Sequence, residues 1–160
     1  MTKSAKPIPE GYHTATPYLV QRDTKSALEY YKKAFGAETG VVMPGPDGRT
    51  GHAEIKIGDS MVFMSDEFPE MSPGTKSPQS AGCVTGTVFL YVSDVDTVFQ
   101  RAVDAGAKVL MPVTDMFWGD RFGRIVDPFG HHWGIATRKE DLSPQEVQQR
   151  HAEFEKKMKK

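Results

Sequence analysis

One stretch of this 160-residue sequence gathers most of its reactive side-chain types. Between Phe117 and Thr137 lie Trp118, the adjacent Asp120 and Arg121, the adjacent His131 and His132, and Trp133. Gly119, Gly123, Pro128, Gly130 and Gly134 are spaced among them. Imidazole can ligate a metal or move a proton, arginine grips carboxylates and phosphates through paired hydrogen bonds, and aromatic walls suit flat or apolar ligands. A second pair, His52 and Glu54, falls on one face of a strand, a spacing that could hold an ion or run acid–base chemistry. Lys56 continues the same alternation, and a solvent-facing strand surface is the favoured reading of the pair. Asp120–Arg121 also has two readings, a ligand anchor or an ion pair that fixes its hairpin.

The elements that position these residues are legible in outline. Asp127-Pro128-Phe129-Gly130 reads as a tight turn joining two strands. Residues 1–14, polar and carrying Pro7 and Pro9, read as a loose arm, and residues 15–21 as a short strand. Asp23 caps a helix whose apolar positions Ala27, Leu28, Tyr31, Ala34 and Phe35 follow the i, i+3, i+4 rule, and Gly36 stops it. Val41–Met43, His52–Ile57 and Met61–Met64 read as strands, with Gly45–Gly51 a turn that lacks the Walker lysine. The Pro-, Ser- and Gly-bearing stretch 68–86 has no periodicity and reads as a connection; Asp66 and Glu67 before it could reach a ligand, but a solvated loop end is the favoured reading.

After it the pattern begins again. Val88, Leu90 and Val92 alternate with Phe89 and Tyr91; Asp94 or Asp96 caps a helix carrying Val95, Val98, Phe99, Ala102 and Val103. Gly106 is expected to stop that helix as Gly36 stops the first. Val109–Met111 and the 117–137 hairpin complete the set. The whole is a duplicated βαβββ unit, an internal repeat. Ser143-Pro144-Gln145-Glu146 combines a capping box with proline in the first turn, so Gln145–Lys157 is a terminal helix.

Composition narrows the function classes. The net charge of -1, with both signs mixed along the chain, supplies no basic stripe for nucleic acid. The basic residues Lys156, Lys157, Lys159 and Lys160 suit the end of a helix better than a phosphate patch. A single cysteine, Cys83, excludes an intrachain disulfide and paired-cysteine zinc motifs. No apolar run reaches membrane-spanning length, and no signal-peptide core opens the chain, so a cytoplasmic protein is expected.

The chain resembles the vicinal oxygen chelate superfamily of glyoxalase I, bleomycin-resistance proteins and extradiol dioxygenases, and within it the PhnB-like branch. The resemblance rests on Pro17-Tyr18-Leu19, Ala34-Phe35-Gly36-Ala37, Gly51-His52-Ala53-Glu54-Ile55, Ile57-Gly58-Asp59-Ser60 and Ser65-Asp66-Glu67. In the second half it rests on Tyr91–Asp96, Trp118–Gly123 and Asp127–Trp133. It implies an α+β protein of two tandem βαβββ modules, residues 15–67 and 87–138, each a cupped mixed sheet. A connecting loop at 68–86 and a C-terminal helical tail at 139–160 complete the organisation.

Metal-using members hold a divalent ion in the cup with His, Gln or Glu from the first and last strands of each module. Here the corresponding positions read Thr16, Thr87, Gly134 and, near Phe63 or Met64, most directly Met64. None is an imidazole or carboxylate, so the usual metal site is expected to be absent and no cofactor is expected; a divalent metal at a non-standard site stays open. Alternation referred to Gly134 turns His132 and Ala136 into the cup, and the phase of Thr87 turns Phe89 and Tyr91 there, beside Trp118. Expected ligand-binding residues are therefore Trp118, Phe89, Tyr91, Asp120, Arg121 and His132, with simple core packing the other reading of the three aromatic residues and a strand histidine bonded to a neighbour that of His132; His132, His52 and Glu54 are the catalytic candidates. His131 is expected at the rim or in a structural role. The expected function is binding of a small organic molecule in the cup, by a homodimer without nucleic-acid or membrane partners. A metal-dependent lyase, isomerase or dioxygenase with displaced ligands, and a non-catalytic interaction module, are the alternatives.

Overall fold

A computed structural model describes residues 6–158, so the first residues of the expected arm and the last two lysines lie outside the described residues. The chain divides into two compact units with the break between Thr85 and Gly86. Each is a four-stranded mixed sheet backed by one helix.

In the first unit, β1 (Tyr18–Gln21) is followed by α1 (Thr24–Phe35), β2 (Glu38–Pro44), β3 (Thr50–Ile57) and β4 (Ser60–Asp66). The sheet order is β1-β4-β3-β2, with β1 parallel to β4 and the remaining pairs antiparallel. Asp23 caps α1 by accepting from the Ser26 N–H at 3.0 Å. Gly36 ends it at φ 67, a left-handed conformation that costs glycine nothing. Ala27, Leu28, Tyr31 and Ala34 of α1 meet Leu19, Ala53, Ile55, Val62 and Met64, all buried, between helix and sheet. The other sheet face, away from α1, carries Tyr18, His52, Glu54, Lys56 and Phe63.

The second unit repeats the plan with β5 (Thr87–Tyr91), α3 (Val95–Asp104), β6 (Lys108–Asp115), β7 (Asp120–Val126) and β8 (His132–Arg138), in order β5-β8-β7-β6. Of the two possible caps of α3, Asp94 serves, accepting from the Thr97 N–H at 3.1 Å. The helix ends one residue before the expected place: Ala105, still right-handed, is the cap, and Gly106 follows at φ 120. Val95, Phe99 and Ala102 cover Ile125, Trp133 and Ile135. Trp133 also donates its indole N–H to Asp127, which accepts from the Phe129 and His131 amides and so holds the expected turn together. The terminal helix α4 runs Pro144–Met158, and its capping box is formed in both directions between Ser143 and Glu146.

Three expectations are corrected by contacts between distant parts of the first unit. The connection 68–86 contains a short helix, α2 (Pro78–Ala81), and is tied down: the Glu67 carboxylate accepts from Ser77 N–H and Ser80 hydroxyl, and Arg49 lies over the Phe68 ring. Asp66 is buried instead of solvated, and its two oxygens accept the Thr24 and Thr50 amides, both at 2.6 Å. That clamp joins the start of α1 to the start of β3. The arm is also not wholly loose, because Tyr12 packs on the sheet.

Candidate functional site

The sheet face away from the helix carries most of the candidate side chains in each unit. In the second unit, Phe89 on β5 pairs with Gly134 on β8, and Gly134 pairs with Arg124 on β7. With no side chain at Gly134, the Phe89 and Phe122 rings close over it, stacked with centroids 5.3 Å apart and 9° between planes. A Cβ at Gly134 would lie 2.8 Å from Phe89 Cδ2 and 3.0 Å from Phe122 Cε2, closer than packed carbons tolerate. Phe89 nevertheless remains 45% exposed and Tyr91 66% exposed, so the aromatic surface is presented outward.

Asp120 begins β7 at the end of this surface and is 4% exposed. Its Oδ2 accepts from the Tyr91 hydroxyl at 2.8 Å and from the Trp118 indole N–H at 3.0 Å. A buried carboxylate needs such donors, since desolvation would otherwise be costly. The hydrogen bond to Asp120 raises the pKa of Tyr91 above the ordinary phenol value. Beside the Asp120 backbone a cleft of about 410 Å³ is lined by Met116, Gly119, Lys139 and Glu140, among others. Phe117 stands edge-on to Trp118 and meets His151 and Phe154 of α4, its centroids 5.1 and 5.3 Å away. Asp120, Trp118, Tyr91 and Phe89 are thus brought together as one patch.

The other expected residues are placed differently. Arg121 alternates to the helix face, where Nε and Nη2 bond the two oxygens of Asp96 at 2.7 and 2.8 Å and Nη1 reaches Asp115 at 3.1 Å. These bonds hold its guanidinium more firmly protonated than usual. It pins β7 to the first turn of α3, the ion-pair reading of the two. His132 lies on the aromatic face, partly buried between Thr87 and Val126, and its ring makes no hydrogen bond among the described residues. His131 is buried beside the turn.

In the first unit His52 and Glu54 do meet: Nε2 and Oε1 are 3.1 Å apart. The second carboxylate oxygen accepts from the Tyr12 hydroxyl at 2.6 Å. Tyr12, Tyr18, His52 and Phe63 form a ring cluster, with His52 edge-on to Phe63 at 5.0 Å. The hydrogen bond from Tyr12, and then that from His52, holds the Glu54 carboxyl below the usual carboxylate range against the opposing effect of burial. The same bond raises the Tyr12 hydroxyl.

Strand register also revises one position in the ligand set. Tyr18 pairs with Phe63 as Phe89 pairs with Gly134, so Phe63 is the counterpart of Gly134. Met64 points to α1 and is fully buried. Among the described residues, no three His, Cys, Asp or Glu side chains gather where they could hold a metal ion, and no helix is long and apolar enough to cross a membrane. Phe122 and Tyr12 join the candidates only through the folded structure. Phe122 shares the strand phase of Asp120, a signal that was there to be used; nothing along the chain marks Tyr12.

Residues 12–135 match the Glyoxalase/Bleomycin resistance protein/Dioxygenase superfamily, to which this chain belongs. It is similar to the uncharacterized protein Rv0887c of Mycobacterium tuberculosis, 42% identical over 134 residues that cover 83% of this chain and 79% of that one. The crystal structure of TioX from Micromonospora sp. ML1 superposes with a TM-score of 0.60 at 27% identity, over 78% of this chain and 98% of that one. A Bacillus cereus structure described as a putative 3-demethylubiquinone-9 3-methyltransferase, PhnB protein, shares the fold at 18% identity and a TM-score of 0.59, over 78% of this chain and 99% of that one.

Proposed function

We propose that this protein binds a small organic molecule with a flat apolar portion on the aromatic face of its second module, without a divalent ion at the family's metal position. One observation carries the reading: the exposed Phe89 ring, stacked on the buried Phe122 over Gly134 and bordered by the buried Asp120. Aromatic surface so exposed on a soluble module is available for a ligand. The donor set does not fit a resident divalent ion, because Thr16, Phe63, Thr87 and Gly134 supply neither imidazole nor carboxylate. The family places the protein among scaffolds that host several unrelated activities, so the site's own chemistry has to decide between them. A place in the PhnB-like branch agrees with the motifs and with the Bacillus cereus neighbour.

Pairing of two copies belongs to the same proposal. The outer strands β2 and β6 expose Val41, Val42 and Met43, and Val109 and Leu110, apolar rows that a second copy would cover. A second functional reading, acid–base turnover by a lyase or isomerase, is favoured by the His52–Glu54 pair alone.

The test uses Nile red, a flat neutral dye, as the probe, together with elemental analysis of protein purified without added metal. Wild-type protein should bind the dye saturably, and Phe89→Ala and Trp118→Ala should each weaken it about tenfold or more, one anchor's contribution. Unchanged affinity in both variants rejects the site. One equivalent of tightly held transition metal, lost on His132→Ala or His52→Ala, rejects the metal-free reading.

A further inference from the structure

Residues 6–15 are exposed at every position except Tyr12. A turn closed by the Tyr12 N–H on the Pro9 carbonyl at 3.2 Å brings the chain back over the first module's sheet. There the Tyr12 ring lies 5.8 Å from that of Phe63, and its hydroxyl donates to Glu54. Among the described residues of the arm, Tyr12 is the side chain that bonds and packs on the sheet face. Alongside it a cleft of about 350 Å³ is bordered by Gly40, Val41, Glu54, Lys56 and Met61 as well as Tyr12. Gly40 lies beside the carboxylate: a Cβ there would stand 3.7 Å, an ordinary contact distance, from Glu54 Oε2, the oxygen that receives Tyr12.

We infer that Tyr12 is an internal occupant of a second ligand site, and that a small aromatic molecule bearing a hydrogen-bond donor, a phenol or an aryl amine, takes its place when the arm lifts. What Tyr12 contributes is one ring against Phe63 and one O–H to a carboxylate, and neither depends on its backbone. The chemistry of the receiving group selects the occupant. Glu54 is ionised and can only accept, so the ligand must donate. A carboxylated ring such as benzoate would set two negative charges together and is excluded. His52 on the other Glu54 oxygen fixes the carboxylate plane, and Tyr18 and Phe63 shape the apolar floor. A ligand competes with an occupant tethered by a short chain, whose effective concentration is of the order of millimolar. Apparent affinity is therefore reduced by the fraction of molecules with the arm closed. This site stands whether or not the second module binds the dye described above.

The test uses the full chain and p-cresol, which is the tyrosine side chain without its backbone. Amide resonances of Glu54, Phe63 and Met61 are followed by two-dimensional NMR during titration of wild type and Tyr12→Ala. In Tyr12→Ala, p-cresol should move these resonances saturably at a concentration about fivefold or more below that required in wild type. Toluene, which has the ring and lacks the donor, should bind several-fold more weakly, and Glu54→Gln in the Tyr12→Ala background should reduce that difference. In wild type at high p-cresol the resonances of residues 6–14 should sharpen as the arm is displaced. Equal binding to wild type and Tyr12→Ala, shifts confined to other residues, or toluene binding as tightly as p-cresol would each overturn the inference. Tyr12→Phe, which keeps the packing, guards against loss of local order: p-cresol should displace its arm more readily than the wild-type arm, and equal displacement counts against the role given to the hydroxyl.

Discussion

The aromatic faces of the two modules solve the same problem with different parts. Each sets a carboxylate beside rings and gives it two donors, Asp120 buried and Glu54 half-buried. In the second module both donors come from the module's own frame, Tyr91 on β5 and Trp118 at the entrance to β7. In the first, one donor is a strand neighbour, His52, and the other, Tyr12, belongs to an arm otherwise exposed. The paired strand positions differ too: Phe63 fills its own place, while Gly134 leaves a space that Phe89 and Phe122 fill from two other strands. A duplicated backbone therefore keeps the place for a ring without keeping the strand that supplies it. The second face is built in, and the first is conditional on the arm.

The largest effect is expected at Gly134. Gly134→Glu forces the Phe89–Phe122 stack apart and should lower stability by about 3 kcal/mol in urea unfolding. Phe63→Glu, on the half-buried counterpart, should cost visibly less. Equal losses would mean that the two positions are not distinguished by packing. Next, Asp120→Ala leaves the Tyr91 hydroxyl and the Trp118 N–H without their acceptor and should cost roughly 2 kcal/mol. Glu54→Ala should cost less, since one of its partners can turn to water with the arm. A Glu54 variant as damaging as the Asp120 one would contradict the contrast between a built-in and a conditional face.

A smaller effect is the pH dependence of the arm. Because Glu54 is held below its ordinary value, its contribution to docking is present above the unfolded carboxylate pKa and is lost as pH falls through the lower, folded value. Tyr12 is raised, so its contribution is present below the ordinary phenol value and is lost as pH rises through the higher one. Resonances of residues 6–14 should report a docked arm across the neutral range and a freed arm at both extremes. An arm equally docked below the carboxylate range would remove Glu54 as its anchor. The smallest effect is expected from Arg121→Met, which breaks the tie to Asp96 on the helix face and should leave Nile red affinity unchanged. A loss there would return Arg121 to the ligand.

Much of this was legible along the chain because the signals are local. Strand alternation puts Phe89, Tyr91 and His132 in one phase, and helix periodicity with Asp23, and Asp94 or Asp96, as caps defines α1 and α3. Trp118 and Asp120 stand out as candidates by chemical type, and the structure brings them together through the indole N–H on the carboxylate. Arg121 stayed undecided because alternation places it opposite Asp120, whereas its partner Asp96 is set by the packing of α3 on the sheet. Met64 in place of Phe63 was a register slip of one residue, and a slip of one exchanges the two faces of a strand. The loop 68–86 carries no period, and its order comes from Glu67 and Arg49 reaching across it.

By itself the sequence determined the repeated βαβββ plan, the family, and the residue types at the ligand positions. These depend on neighbours one to four residues apart and on identities that folding cannot change. Only the tertiary structure decided that two rings close over Gly134, that Arg121 serves the helix, and that Tyr12 returns to Glu54. Each of those outcomes requires two or three distant segments to compete for the same small volume or the same carboxylate oxygen, and close packing with one donor per acceptor site selects the winner.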